Sequence, residues 1–397
     1  MSRTLATTYP VLSAMLLLSA ACGDRHDWDE CEASVAPECD ISQVECVSVY
    51  SEHVACVRGA EAEPPEVELL SETELISRLS GDRSVSASDR CLSVVGLEYL
   101  ERSRSWRAGA QDGPTAAYSL VEEKVLVSDP DDSRAILRAV AIAHIDAEVG
   151  GLMNVVQEAS TLDEGFARRS RLLGEAIFIG DAAWWKIEPM SDGDFHEFIA
   201  ENIYFGDEIA DLMWLARERS AGLGLLLSYF DFYGAQFVLE QWQEGPLEPL
   251  ATGPGGLRSA DIILNRPPSG SETSFSAIPS VPGYSTVWSS SLGSLAVHAH
   301  LTRADPPAEE ETFTLDSERI VTLAEITSGD QATCLYDAAN DAVAVVWEVV
   351  VDDLQSLPYP LDYSGLATVK RSLRPDRVLI VAAEDLEVRD QIFAEIE

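Results

Sequence analysis

The sequence predicts an α+β protein: a mainly helical core, then a small strand-containing unit at the C-terminal end, both behind a cysteine-rich N-terminal stretch. Three observations predict it. Apolar residues recur at helical spacing through SRAILRAVAIAHIDAEV and DEGFARRSRLLGEAIFIGDAAWW. The longest β-branched runs, AVAVVWEVVV and DRVLIVAA, lie near the C-terminal end. Four cysteines crowd into CEASVAPECDISQVECVSVYSEHVAC, ahead of both. With 397 residues, 46% of them hydrophobic, the chain can bury a sizeable core in one large domain or two.

Residues 1–21 read as a signal peptide: Arg3 is the basic end and VLSAMLLLSAA the apolar stretch. The small residues in LSAACGD, directly before Cys22, resemble the lipobox of bacterial lipoproteins, although Leu18 stands one place early. On that reading Cys22 carries lipid, and the protein attaches to the cell envelope through an N-terminal lipid anchor. Gly23 is compatible with the outer membrane. Plain secretion is the alternative. Export would place Cys31, Cys39, Cys46, Cys56, Cys91 and Cys334 in an oxidising compartment, where six cysteines suit three disulfides. The spacing does not choose their pairing. The absence of any C-x-x-C pair argues against a zinc–thiolate cluster. A formal net charge of −41, with lysine only at Lys124, Lys186 and Lys370, disfavours nucleic acid as a partner. The same charge would be repelled by anionic headgroups, so membrane attachment would depend on the anchor.

Residues 22–66 read as a cysteine-rich stalk closing in the linker GAEAEPPE, with His26 and His53 in it. The helical domain spans 67–312. VELLSETELISRLS has helical spacing, with Ser71 and Glu74 as a capping box. AAYSLVEEKVLVSD predicts two short strands around a turn. Asp132 and Ser133 open a helix that Gly150 and Gly151 stop, apolar almost all round and therefore buried. A further helix carries Glu175, and DEIADLMWLARERSAGLGLLLSYFDFYGAQFVLEQWQEG predicts two more. Residues 245–283 are rich in Pro and Gly and predict loop. The α+β unit spans 313–397 and ends in a helix over EDLEVRDQIFAEIE.

The stretch AIAHIDAEVGG poses the functional question. Its spacing is that of H-E-x-x-H, in which two histidines one helical turn apart hold zinc and the intervening Glu acts as base. Here the five positions are His144, Ile145, Asp146, Ala147 and Glu148. Ile145 cannot accept a proton, and Asp146 is turned roughly 200° around the helix from His144. His144, Glu148 and Glu175 could still form a three-ligand set for Zn or Mn. The plainer reading is that His144 is a hydrogen-bonded core residue. His298 and His300 share an H-x-H spacing, and His196 sits beside acids in DGDFHEF; neither requires a metal.

Several segments together resemble bacterial secreted or lipid-anchored relatives of the H-E-x-x-H zinc metallopeptidases. AVAIAHIDAEVGGLMN stands where that family has an Ala/Leu-rich lead-in and H-E-L-x-H-A-x-Q-D-Q. RRSRLLGEAIF stands at its E-G-E-A helix. SYFDFYGAQFVLEQWQEG, SADIILNRPPSG and VPGYSTVWSSSLGSLAVHAHL follow in the family's order, and AVAVVWEVVV and DRVLIVAA resemble its later strands. The similarity runs over roughly residues 67 to 395. It implies a zincin-like core in which His144 and Glu175 match ligands. It also implies a lost site, because the catalytic Glu is Ile145 and the second His is Glu148.

The expectation is a pseudoenzyme: an envelope lipoprotein with a degenerate metallopeptidase fold, no catalytic residues, no cofactor, and a binding or scaffold role towards a peptide or protein ligand. One rival is a metal-dependent hydrolase rebuilt on His144, Glu148 and Glu175. The other is a purely structural envelope protein.

Overall fold

The computed structural model describes residues 31, 41–60, 63–80, 86–95, 97, 105–107, 115–187, 233–244, 256–269, 281–304, 312–352, 369–374 and 376–396. Among the described residues the helices are α1 (Val44–Arg58), α2 (Glu72–Ser80), α3 (Ala87–Val94), α4 (Ser133–Val149), α5 (Leu152–Gln157), α6 (Leu162–Ile187), α7 (Gly234–Glu244), α8 (Ser259–Ile263), α9 (Gly293–Ala304), α10 (Thr312–Ile326) and α11 (Leu386–Ile396). The strands are β1 (Glu66–Leu69), β2 (Ser105–Arg107), β3 (Ala116–Ser119), β4 (Lys124–Val127), β5 (Ser285–Ser290), β6 (Thr327–Asp337), β7 (Ala342–Val351), β8 (Val369–Arg374) and β9 (Arg377–Ala383). The α+β expectation holds at this level. Residues 1–30, which include Cys22 and His26, lie outside the described residues, as do Cys39, His196 and the segment 207–232.

The centre of the fold is the antiparallel pair α4 and α6. Asp132 caps α4, its Oδ1 accepting the Ala135 N–H at 3.0 Å, and Gly150 ends it at φ 71°. Every residue from Ala135 to Ile145 is buried. Thr161 Oγ1 accepts the Glu164 N–H at 3.1 Å to start α6. Asp181 of α6, fully buried, takes bidentate hydrogen bonds from both Arg134 and Arg138 of α4 at 2.7–3.0 Å. These two guanidinium groups outweigh burial and hold the Asp181 carboxyl far below the usual carboxylate range. Gly180 allows the close approach: a Cβ there would lie 2.7 Å from the Arg138 Cα.

The N-terminal stalk needs correction. Residues 44–58 form α1, and Val47, Tyr50, Val54 and Val57 enter the main core beside α4 and α6. His53, assigned to the stalk, is buried and its Nε2 lies 3.0 Å from the Ala183 carbonyl oxygen. The physical reason is the apolar stripe at positions 47, 50, 54 and 57, which a solvated stalk would leave in water. Disulfides join Cys31 to Cys56 and Cys91 to Cys334, and Cys46 is disulfide-bonded as well. The first bridge pins the last turn of α1, and the second ties α3 to β6.

A second correction concerns Val67, where helical spacing was expected. Glu66–Leu69 is a strand, parallel to β4, because β4 offers its edge there. The helix begins only at Glu72, with the Ser71–Glu74 capping box formed as expected. The resulting sheet has the order β1-β4-β3-β2. Tyr118, Val125 and Val127 point into the main core, and Ala117 and Leu126 pack with Leu75 of α2.

The 313 boundary is not a structural break. β5, from residues 285–290, pairs with β6 in the second sheet, whose order is β5-β6-β7-β9-β8. One face of β7, with Val345, Trp347 and Val349, shares the main core with the helices; Ala344 and Val346 face the α11 side with Ile392. Burial on both faces explains why β7 is apolar at every position except Glu348. Within the stretch expected to be loop, residues 259–263 form the short helix α8.

Candidate functional site

His144, Glu148 and Glu175 each meet helix α1. The first two are a turn apart near the C-terminal end of α4, and Glu175 projects from the facing stretch of α6. What lies between them is a side chain of α1. The Arg58 guanidinium makes an ion pair with Glu148 through Nη1, and its Nε and Nη2 donate to Glu175 Oε1 at 3.3 and 3.2 Å. Ser51, two turns earlier on the same helix, lies with its Oγ 2.7 Å from His144 Nε2. Helix α1 therefore contacts all three sequence-predicted residues.

The electrostatics follow from this packing. His144 is 2% exposed, and burial, then the positive charge of Arg58, holds its pKa down to about 4. The imidazole is neutral at pH 7. Its Nδ1 has no hydrogen-bond partner among the described residues. Burial raises the pKa of Glu175, while the charges of Arg58 and Arg171 oppose the rise. Arg58 supplies the counter-charge that lets a carboxylate sit in this interior.

Two kinds of chemistry can be tested on the geometry. A divalent ion needs lone pairs from His144, Glu148 and Glu175 to converge on one point. Here both carboxylates are bonded to a guanidinium, whose charge would repel the incoming ion, and the His144 Nε2 faces Ser51. Among the described residues no group of three or more His, Cys, Asp or Glu is arranged to hold a metal ion. The residues present do not fit the zinc that the sequence resemblance implies. The Ser51–His144 contact has the atoms of a nucleophile and base. Yet Ser51 and His144 are 1% and 2% exposed, so substrate has no approach to the hydroxyl.

The remaining residues of the motif have structural partners. Ile145 is buried in the main core. Asp146 faces away from His144, as the helical geometry predicts: it accepts from the Tyr118 hydroxyl at 2.8 Å and caps α5 through the Leu152 N–H at 2.6 Å. His298 and His300 are both buried on α9. Burial, with the charge of Arg319, lowers the His298 pKa to about 3. His300 Nδ1 lies 2.9 Å from the Val95 carbonyl oxygen, and its ring meets the Trp347 ring edge-on.

Sequence reasoning missed Ser51 and Arg58. Their partners lie 93 and 117 residues away, so no local pattern could connect them. The stripe of Val47, Tyr50, Val54 and Val57 was the available signal that this segment docks as a helix. No family model, no curated protein and no solved structure matches this chain.

Proposed function

We propose that this protein is a non-catalytic, lipid-anchored component of the bacterial cell envelope, built on a zincin-like core whose metal position has been taken over by Arg58. The observation that carries the reading is the Arg58 guanidinium held by Glu148 and Glu175. It replaces a divalent charge on a hydrolytic ion with a fixed organic cation that can polarise no water. The loss of a base at Ile145 points the same way, since general bases contribute roughly 10²- to 10⁴-fold in rate.

Between a cleft-binding role and a scaffold role, the position of α1 favours the scaffold. Tyr50, Ser51, Val54 and Arg58 lie against α4 and α6, where a peptide in the ancestral cleft would lie. A peptide or protein partner then meets the outer, strongly acidic surface. Attachment depends on lipid at Cys22, and the net charge of −41 keeps the body away from anionic headgroups.

The test is a hydrolysis assay on the full chain with a peptide library, with zinc or manganese supplied, beside membrane fractionation of wild type and Cys22→Ala. The reading expects no metal-dependent cleavage, and release of the Cys22 variant from the membrane. Cleavage that is metal-dependent and lost in His144→Ala would instead establish a rebuilt hydrolase. A Cys22 variant that stays in the membrane fraction would remove the lipid anchor from the account.

A further inference from the structure

A second buried polar cluster lies where α6, α8 and α9 meet the second sheet, and its two acids are not among the residues discussed above. Asp163, at the start of α6, and Asp330, in β6, are 2% and 3% exposed. Both carboxylates flank Gly293 at the start of α9. The Gly293 N–H donates to Asp330 Oδ1 at 2.9 Å, and a Cβ on Gly293 would lie 1.8 Å from Asp163 Oδ1.

The two acids are served unequally. Asp330 accepts four hydrogen bonds: from the Ser291 hydroxyl at 2.6 Å, the Leu292 and Gly293 N–H groups at 2.8 and 2.9 Å, and Trp347 Nε1 at 2.8 Å. Burial raises the Asp330 pKa, and these four bonds oppose the rise by favouring the anion. Asp163 accepts the Ser259 N–H at Oδ1, at 3.0 Å, and has help from the Ser259 hydroxyl. Its Oδ2 has Arg258 Nε at 3.9 Å, beyond hydrogen-bond reach.

We propose that Asp163 and Asp330 form a proton-dependent latch: with a proton on Asp163 the pair holds α6, α8 and α9 against β6 and β7, and loss of that proton loosens the junction. Two neighbouring carboxylates in a site closed to water repel each other when both are charged. The charges acting on Asp163 are Asp330, which disfavours its ionisation, and Arg258, which favours it. The other ionisable groups of the surrounding elements are otherwise engaged. Glu164 is paired with Arg168 and bonded to Ser160. Asp261 of α8 is paired with Arg266 and bonded to Ser269. His298 of α9 stays neutral beside Arg319 of α10, and His300 bonds to Val95. Glu348 of β7 is paired with Arg377.

Burial, then the Asp330 charge, raises the Asp163 pKa to about 6, above its unfolded value of 3.8. The contribution to stability is therefore complete below the unfolded value and is lost as pH rises through about 6. Between about pH 5 and about pH 7.5 it changes the opening equilibrium roughly tenfold. The buried histidines act in the opposite direction, because they protonate more readily in the unfolded chain. Total stability would mask the effect, and a site-resolved measurement is required.

The experiment uses the full chain, wild type and Asp163→Asn, which mimics the protonated acid. The infrared difference between wild type and Asp163→Asn, titrated in parallel, should show one carboxylic-acid C=O band at about pH 5 that is gone by about pH 7.5. Amide exchange at Ser259, Leu292 and Gly293, corrected for chemical exchange rates, should show roughly tenfold less protection at the higher pH in wild type and no such change in the variant. A difference spectrum without the acid band, or a wild type with pH-independent protection at these amides, overturns the latch. So does an Asp163→Asn protein that keeps the wild-type dependence. Should the variant not fold, the wild-type amide exchange decides the matter alone.

Discussion

Truncating Arg58 should be among the more damaging single changes to this fold, and the damage should depend on pH. In Arg58→Ala the Glu175 carboxylate, whose side chain is 9% exposed, loses its bonded counter-charge. Removing one partner of a buried pair costs about 3–5 kcal/mol, because the other charge remains in the interior. The Glu148 contact adds little, since that carboxylate is 38% exposed and screened by water, for which about 0–1 kcal/mol is typical. The expected loss at pH 7 is about 4 kcal/mol, read by urea unfolding with the disulfides intact.

The pH dependence follows from Glu175. Its folded pKa is already raised by burial, and without Arg58 the rise is larger. A folded pKa above the unfolded one contributes stability at low pH that is lost on going up. The deficit of the variant should therefore shrink as pH falls from 7 to 5. Adding Glu175→Gln to Arg58→Ala should recover about 2 kcal/mol at pH 7, because no buried charge is then left unpaired. An Arg58→Ala protein within about 1 kcal/mol of wild type at pH 7, or a double variant weaker than the single one, would refute the argument that Arg58 compensates a buried carboxylate.

Three further outcomes are expected. The His144 ring resonances should stay constant between about pH 5 and about pH 8, since its pKa lies near 4; its stabilisation, complete above 6.5 and lost as pH falls towards 4, amounts to about 3 kcal/mol, and a midpoint near 6.5 by NMR would contradict the burial. Gly293→Ala should cost about 3 kcal/mol or more, because φ is +81° and the new Cβ would strike the Asp163 carboxylate; Gly283→Ala, at φ +86° with open space around it, should cost only about 1 kcal/mol, and equal losses by thermal unfolding would be wrong for both. Replacing Cys91 and Cys334 together by Ala should cost about 4–5 kcal/mol, since that bridge closes a separation of 243 residues; a loss below about 1 kcal/mol in non-reducing unfolding would contradict it.

The sequence made local structure legible where local chemistry decides it. Asp132 and Gly150 bound α4, Ser71 and Glu74 start α2, and the β-branched runs became β7 and β9. Strand β1 escaped notice because the alternation in EVEL lasts only four residues before helical spacing takes over; its conformation is set by β4, more than fifty residues on. The largest error concerned α1. Its cysteines suggested a stalk, yet the apolar stripe through Val47, Tyr50, Val54 and Val57 outweighed them. At the candidate site the one-turn spacing of His144 and Glu148 was readable from helix geometry. What fills it was not, because Arg58 and Ser51 reach it only through tertiary packing. The Asp163–Asp330 pair is likewise assembled from separate elements, and only Gly293 beside a serine run hinted at a tight approach.

The most direct test of the Arg58 account is the metal content of the full chain, purified without chelators and then equilibrated separately with zinc and manganese, beside His144→Ala. With Arg58 bonded to Glu148 and Glu175, neither protein should hold a stoichiometric ion. One ion per chain in wild type, lost in His144→Ala, would mean that the guanidinium yields its place to a metal, and the non-catalytic reading would fall.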